Sequence, residues 1–176
     1  MRPILLGLCV LTAGCSGQDS DSPTSPTNAI SALSRAQGKS DAQFPFAGSF
    51  TMRSSGVVTP PILQITGTAE GTARALGRFT AAVTGVVDMA TAQSTGTFTF
   101  TAANGDQLIT TTTGSEDAFV PPNVSHVTLV ATIVGGTGRF AAAAGTFTVR
   151  WVGIIDFATG TSTETGSFEG HIDLKQ

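Results

Sequence analysis

The chain has 176 residues and a formal net charge of −3, from 9 Lys and Arg against 12 Asp and Glu. Its basic residues are scattered, Arg74 and Arg78 being the nearest approach to a cluster, which argues against nucleic-acid binding and against a polybasic membrane patch, since both need concentrated positive charge. With 2 Cys, 1 Trp, no Tyr and 11 Phe, the fold has few means of stapling itself and an aromatic core must be built on phenylalanine.

In chain order, Arg2 precedes an apolar run from Ile4 to Leu11, and Thr12-Ala13-Gly14-Cys15 follows. A basic head, a short apolar stretch and small residues before a cut make the order of an export signal. A spanning helix needs about 20 apolar residues, and this run is too short for one. Residues 12–15 resemble the lipobox of bacterial lipoproteins, with Thr12 where that motif usually has Leu. The resemblance implies cleavage after Gly14, a diacylglycerol on the Cys15 sulfur and a palmitate-type acyl chain on the new amino terminus. An ordinary secretory signal is the alternative. Cysteine usage favours the lipid: Cys9 is discarded with the signal, and Cys15 is then the one cysteine of the mature chain, without an intramolecular partner. Residues 1–14 are therefore expected to be a lipoprotein signal peptide. By the sorting habit of such proteins, Ser16 rather than Asp after the lipid cysteine implies the outer membrane of the cell envelope.

Residues 15–43 are expected to be the lipidated cysteine and a flexible linker. Ser20, Ser22, Pro23, Thr24, Ser25, Pro26, Thr27 and Asn28 bring too little apolar surface to offset ordering entropy. A brief helical turn around Ala29–Ala36 is the most structure this stretch suggests. As a disordered coil, it spans roughly 30 Å root-mean-square.

Residues 44–176 read as one all-β domain. Thr95-Gly96-Thr97-Phe98-Thr99-Phe100-Thr101 and Thr146-Phe147-Thr148-Val149-Arg150-Trp151 alternate polar and apolar. Successive strand side chains point to opposite faces, so each segment makes one apolar and one polar surface. Turn residues at Val58-Thr59-Pro60-Pro61, Ala103-Asn104-Gly105-Asp106, Pro121-Pro122-Asn123, Gly135-Gly136-Thr137-Gly138 and Ala158-Thr159-Gly160 divide the domain into eight strands. These are expected near residues 46–54, 62–70, 77–88, 94–102, 107–114, 126–134, 145–157 and 164–174. Asn104-Gly105 signals a two-residue hairpin, because both positions tolerate positive φ. Eight strands in up-and-down order would close into an antiparallel barrel without exposed edges, with Phe98, Phe100, Leu129, Ile133, Phe140, Phe147 and Val149 buried. An open two-sheet sandwich is the other architecture.

The chain also echoes itself. Gly77-Arg78-Phe79 returns as Gly138-Arg139-Phe140, and Asp88-Met89-Ala90-Thr91 as Asp156-Phe157-Ala158-Thr159. Gly96-Thr97-Phe98 and Gly166-Ser167-Phe168 follow in turn. Either two halves descend from one, or the same turn chemistry arose twice.

Val127-Thr128-Leu129-Val130-Ala131-Thr132-Ile133-Val134-Gly135-Gly136-Thr137-Gly138-Arg139-Phe140 resembles the strand and turn shared by plant dirigent proteins and allene oxide cyclases. Gly71 to Thr80 and Thr101 to Asp106 resemble segments of exported bacterial barrels of the same kind. The resemblance covers about 20 residues well. It implies an eight-stranded antiparallel up-and-down barrel with an apolar interior, in which Gly135, Gly136 and Gly138 make a structural turn and Phe140 plugs one end. None of the plant enzymes' catalytic residues finds a counterpart here.

Residues that could carry chemistry are few. The Gly135–Gly138 run lacks the helix and Lys of a phosphate loop and reads as a turn. His126 and His171 stand apart, short of the ligands that a metal site needs; His171 and Asp173 share one strand face, which is either a weak site or a solvated surface, and neither metal nor cofactor is expected. Asp88 and Asp156 occupy equivalent places after Val86-Val87 and Ile154-Ile155. Facing a cavity they would make an acid/base pair; otherwise each opens a turn by bonding backbone amides. Arg78 and Arg139 follow turn glycines and would either bind an anionic ligand or pair with Asp88 or Asp106 at the surface.

Two functions fit. One is a lipid-anchored envelope barrel without catalysis, binding an apolar small molecule or serving as a surface module. The other is an isomerase or cyclase acting on an apolar molecule inside the barrel. The missing catalytic motif favours the first, and the interior decides: converging polar groups in a cavity would favour the enzyme, and a centre filled by Phe, Leu and Val would not.

Overall fold

Period-two alternation in this chain becomes the two faces of one closed wall. The structure, a computed structural model, describes residues 43–174. The signal peptide, Cys15, the linker and the helical turn expected around residues 29–36 lie outside them. Eight strands follow in order: β1 (Gln43–Thr59), β2 (Ile62–Ala73), β3 (Gly77–Asp88), β4 (Gln93–Ala102), β5 (Gln107–Val120), β6 (Val124–Gly136), β7 (Ala144–Asp156) and β8 (Thr161–Asp173). Each pairs antiparallel with the next, and β1 pairs with β8 from Gln43↔Asp173 to Ser55↔Thr161, closing the barrel. The sandwich is thereby excluded.

Several strands run beyond their expected ends, β1 to Thr59 and β5 to Val120. Gly56 and Gly114 sit within these longer strands, where a Cβ would stand 2.8 Å from Leu63 Cδ1 and 2.7 Å from Leu129 Cδ2 respectively. These glycines leave room for a neighbouring side chain and do not turn the chain. The β4–β5 connection is also wider than a two-residue hairpin. Gly105 has a φ of 87°, but Asn104 stays out of the left-handed region. Its side chain works instead: Asn104 Nδ2 donates to Asp106 Oδ2 at 2.8 Å, and the Asp106 amide donates to Asn104 Oδ1 at 3.2 Å.

Inside, Phe46, Phe50, Phe79, Phe98, Phe100, Phe147 and Phe168 are all buried. Phe46 meets Phe147 and Phe168 with ring centroids 4.9 Å apart, and Phe79 meets Phe100 at 5.3 Å. Leu129, Ile133 and Val149 are buried with them. Outside, Thr66, Thr84, Thr97, Thr111, Thr132 and Thr146 are cross-strand partners in unbroken succession from β2 to β7. Threonine suits a pleated surface by its branched Cβ and leaves a hydroxyl for water. A lipid-spanning barrel carries an apolar band in that place and a polar interior, the opposite of the polarity here.

The two ends differ. One carries the start of β1 and the β2–β3, β4–β5 and β6–β7 connections, and it is plugged. A short 3-10 turn, Gly138–Phe140, drives the fully buried Phe140 ring inward, beside buried Leu76 and Ala143. The other end, the rim, carries the remaining four connections and exposed apolar side chains: Val57, Val58, Met89, Phe119, Val120, Ile154 and Phe157. Phe119 and Phe157 meet there edge to face, ring centroids 6.2 Å apart.

Candidate functional site

The structure places the residues singled out from sequence at both ends of the barrel. Asp88 and Asp156 close β3 and β7 at the rim, on opposite sides of an eight-strand ring, so they do not form a pair. Each opens a turn. Asp88 Oδ1 accepts from the Ala90 amide at 2.9 Å, and Asp156 Oδ1 from the Ala158 amide at 2.9 Å. Asp156 also accepts the Thr159 hydroxyl at 2.8 Å. That hydroxyl, followed by the Ala158 amide, holds the Asp156 carboxyl below the usual aspartate range. The echo between the halves is real in the β3–β4 and β7–β8 hairpins, where Phe98 and Phe168 both face inward. It fails for Gly-Arg-Phe, since Phe79 lies in a strand and Phe140 in the 3-10 turn.

At the plugged end the glycines and arginines serve the turn. Gly135 and Gly138 have φ of 136° and 54°, a region open to glycine at little cost. Gly135 follows a register shift in which Ile109 pairs with Gly135 and Thr110 with Ile133. A side chain on Gly136 would strike the Gln107 carbonyl oxygen. Thr137 ties the turn to β5: its amide donates to the Gln107 oxygen at 2.8 Å, and its Oγ1 accepts from the Gln107 amide at 2.9 Å. Arg139 lies 3.8 Å from Asp106 Oδ2 and covers the Phe140 ring at 4.8 Å. Arg78 is exposed on the outer wall, beside a groove of about 450 Å³ with Glu70, Thr72 and Thr101. It stands at the opposite end of β3 from Asp88, too far along the strand for the pairing expected of it. His126 and His171 stand on the outer faces of β6 and β8. Among the described residues, no three His, Cys, Asp or Glu gather as metal ligands would.

The carboxylate that matters was not among these. Glu164 lies on the inward face of β8, four residues in from the rim, and is 4% exposed. Ser54 Oγ donates to its Oε1 at 2.7 Å, and Ser162 Oγ donates to the same oxygen. The two serines are cross-strand partners on the β1–β8 seam, their hydroxyls 2.8 Å apart. Across the other seam its partner is Gly153, whose missing side chain makes room for it. Oε2, also buried, has no hydrogen-bond partner among the described residues. A buried polar oxygen without a partner is costly, and this is the one such side-chain atom among the described residues. The signal was present in Ser162-Thr163-Glu164-Thr165-Gly166-Ser167-Phe168, where Glu164 is in phase with buried Phe168.

Nearby, at the β7–β8 turn, Pro122, Asn123, Ile154, Ile155, Asp156, Phe157 and Thr161–Thr163 line a groove of about 630 Å³ on the rim. Ser162 thus belongs to both places: it lines the groove and bonds Glu164. The deeper half of the barrel is filled mainly by phenylalanine.

No protein-family model matches the chain, and no curated protein does. Among solved structures it is similar to two pterocarpan synthase dirigent proteins. GePTS1 shares 15% identity, with 78% of this chain and 90% of that one covered and a TM-score of 0.47. PsPTS1 shares 16% identity, with 77% and 97% covered and a TM-score of 0.44.

Proposed function

We propose that this chain is a lipid-anchored envelope binding module whose barrel takes a small, largely apolar molecule at its rim. One observation carries the reading: Glu164 keeps a buried, unpartnered oxygen beside Ser162, which lines a mixed polar and apolar groove of a volume usual for small-molecule sites, about 300–1,000 Å³. Buried polar groups are rarely left without a partner, and a bound donor would supply one. The phenylalanine plug supports binding over catalysis, since it leaves only the rim half for a guest. The anchor would be the diacylglycerol on Cys15, in the outer membrane, and the linker would join the barrel at its plugged end, where β1 begins.

Native mass spectrometry of the barrel isolated from its host tests the binding reading. A small molecule should leave with mild activation, and Glu164→Ala should reduce the amount recovered. Protein that is ligand-free under every extraction condition would overturn it. Intact mass tests the anchor: the mature chain should begin at Cys15 and carry added acyl mass, and Cys15→Ala should release it from membranes. An unmodified Cys15 would overturn that part alone.

A further inference from the structure

We propose that the rim site selects a cation: a protonated amine on an apolar body, its ammonium directed to Glu164 Oε2. This rests on the binding reading above and names the chemistry of the guest.

The donor requirement comes from Glu164 itself. Its Oε1 already accepts two hydroxyls, from Ser54 and Ser162, and Oε2 accepts none. An ionised carboxylate only accepts, so what completes it must donate. Ser54 and Ser162 each spend their one hydroxyl proton on Oε1, so neither has one left for Oε2.

Charge then decides between a neutral donor and a cationic one. Asp88, Glu116, Asp117 and Asp156 all stand at the rim end, with Glu164 beneath them. Asp156 is held in its charged form by Thr159 and the Ala158 amide. Most of the described arginines are elsewhere. Arg74, Arg78 and Arg139 belong to the plugged end, and Arg150 is paired with Glu169 at 3.1 Å on the outer wall. Arg53 alone comes near, on the outer face in register with groove-lining Thr163. Carboxylates still outnumber cations at this end, and an excess of one sign of charge concentrates the opposite sign. The groove adds Pro122, Ile154, Ile155 and Phe157 as apolar lining, and aromatic faces favour cations as well. Asp156 lines the groove and Glu164 lies under Ser162, so one guest meets surface charge first and buried charge second. Glu164 does not itself line the groove and its Oε2 is buried, so contact requires side chains at the mouth to move, as binding sites commonly allow.

The test uses the full chain and three compounds of one skeleton: 4-phenylbutylamine, 4-phenylbutanol and 4-phenylbutanoate. Calorimetric titration should show the amine bound about tenfold or more tightly than the alcohol, as a charge-assisted hydrogen bond requires. The carboxylate should bind weakest. In Glu164→Gln the amine should lose most of its advantage while the alcohol changes little, and Asp156→Asn should produce a smaller loss. An alcohol or carboxylate that binds the native chain as well as the amine overturns the cation inference and leaves the binding reading standing. So does an amine preference that survives Glu164→Gln. If none of the three binds, and the neutral fluorophore N-phenyl-1-naphthylamine also fails to bind, both fail together.

Discussion

Glu164 lies across Gly153: a Cβ built on that glycine would stand 3.3 Å from the Glu164 Cγ. The position is therefore occupied by a glycine for the sake of its neighbour. Gly153→Ala should displace the glutamate side chain by a few tenths of an ångström and disturb its bonds to Ser54 and Ser162. Stability should change little, within about 1 kcal/mol, because alanine also lowers the entropy of the unfolded chain. Binding of 4-phenylbutylamine should weaken out of proportion. Calorimetry beside thermal unfolding separates the two, and a loss of stability with unchanged affinity would detach Gly153 from the site.

Glu164→Met is expected to make the barrel more stable. The substitution keeps the length of the side chain and removes the unpartnered oxygen, and Ser54 and Ser162, their oxygens 2.8 Å apart, become free to bond each other. Leaving a buried acceptor unsatisfied costs about 1–3 kcal/mol, and replacing buried charge by apolar volume is often stabilising. A gain of about that size in denaturant unfolding would mark Glu164 as retained for something other than folding. A loss of similar size would mean that the carboxylate is structural.

Asp156 gives a pH signature of the opposite kind. Its folded-state carboxyl is held down, first by the Thr159 hydroxyl and then by the Ala158 amide. A depressed acid contributes stability that is present above the unfolded value and is lost as pH falls through the folded one. Asp156→Asn should therefore lower the melting temperature at neutral pH, and the difference should shrink below the ordinary aspartate range and vanish only once pH falls below the lowered folded-state value. Thr159→Val should bring the Asp156 titration, followed by carboxyl carbon NMR, back up towards that range. An unchanged midpoint would show that the hydroxyl does not control it.

The barrel was legible because its wall repeats one instruction. Thr95 to Thr101 and Thr146 to Trp151 each state which side is inside, and closure follows once eight such segments are joined by short turns. Strand ends were less legible because glycine has two uses. At Gly105 it turns the chain, whereas at Gly56 and Gly114 it clears space, and a sequence does not distinguish a positive φ from a close neighbour. The rim site was hidden for a related reason. Asp88 and Asp156 drew attention through their echo, yet they serve their own turns. Glu164 had no echo, since Gly96 and Phe98 recur in β8 but its own counterpart in β4 is Ser94. Only the phase of alternation, set against Phe168, reveals a carboxylate facing inward, and its Ser54 partner comes from the far end of the chain.

Phe140 and the turn that carries it provide the contrast to the rim. Its ring is fully buried, so Phe140→Ala should cost about 3–5 kcal/mol by leaving a cavity at the plugged end. Gly138 combines a φ of 54° with Asp106 against the place where a side chain would go, and Gly136 faces the Gln107 carbonyl. Gly136→Val should therefore cost at least about 1–3 kcal/mol, more if β5 cannot shift. Arg139→Ala should cost far less, because an ion pair at 3.8 Å with half of its guanidinium side chain exposed contributes about 0–1 kcal/mol. All three lie at the end of the barrel remote from Glu164. Affinity for 4-phenylbutylamine, measured well below each variant's melting temperature, should be unchanged. An Arg139→Ala barrel that melts normally but no longer binds would move the site to the plugged end and refute the assignment to the rim.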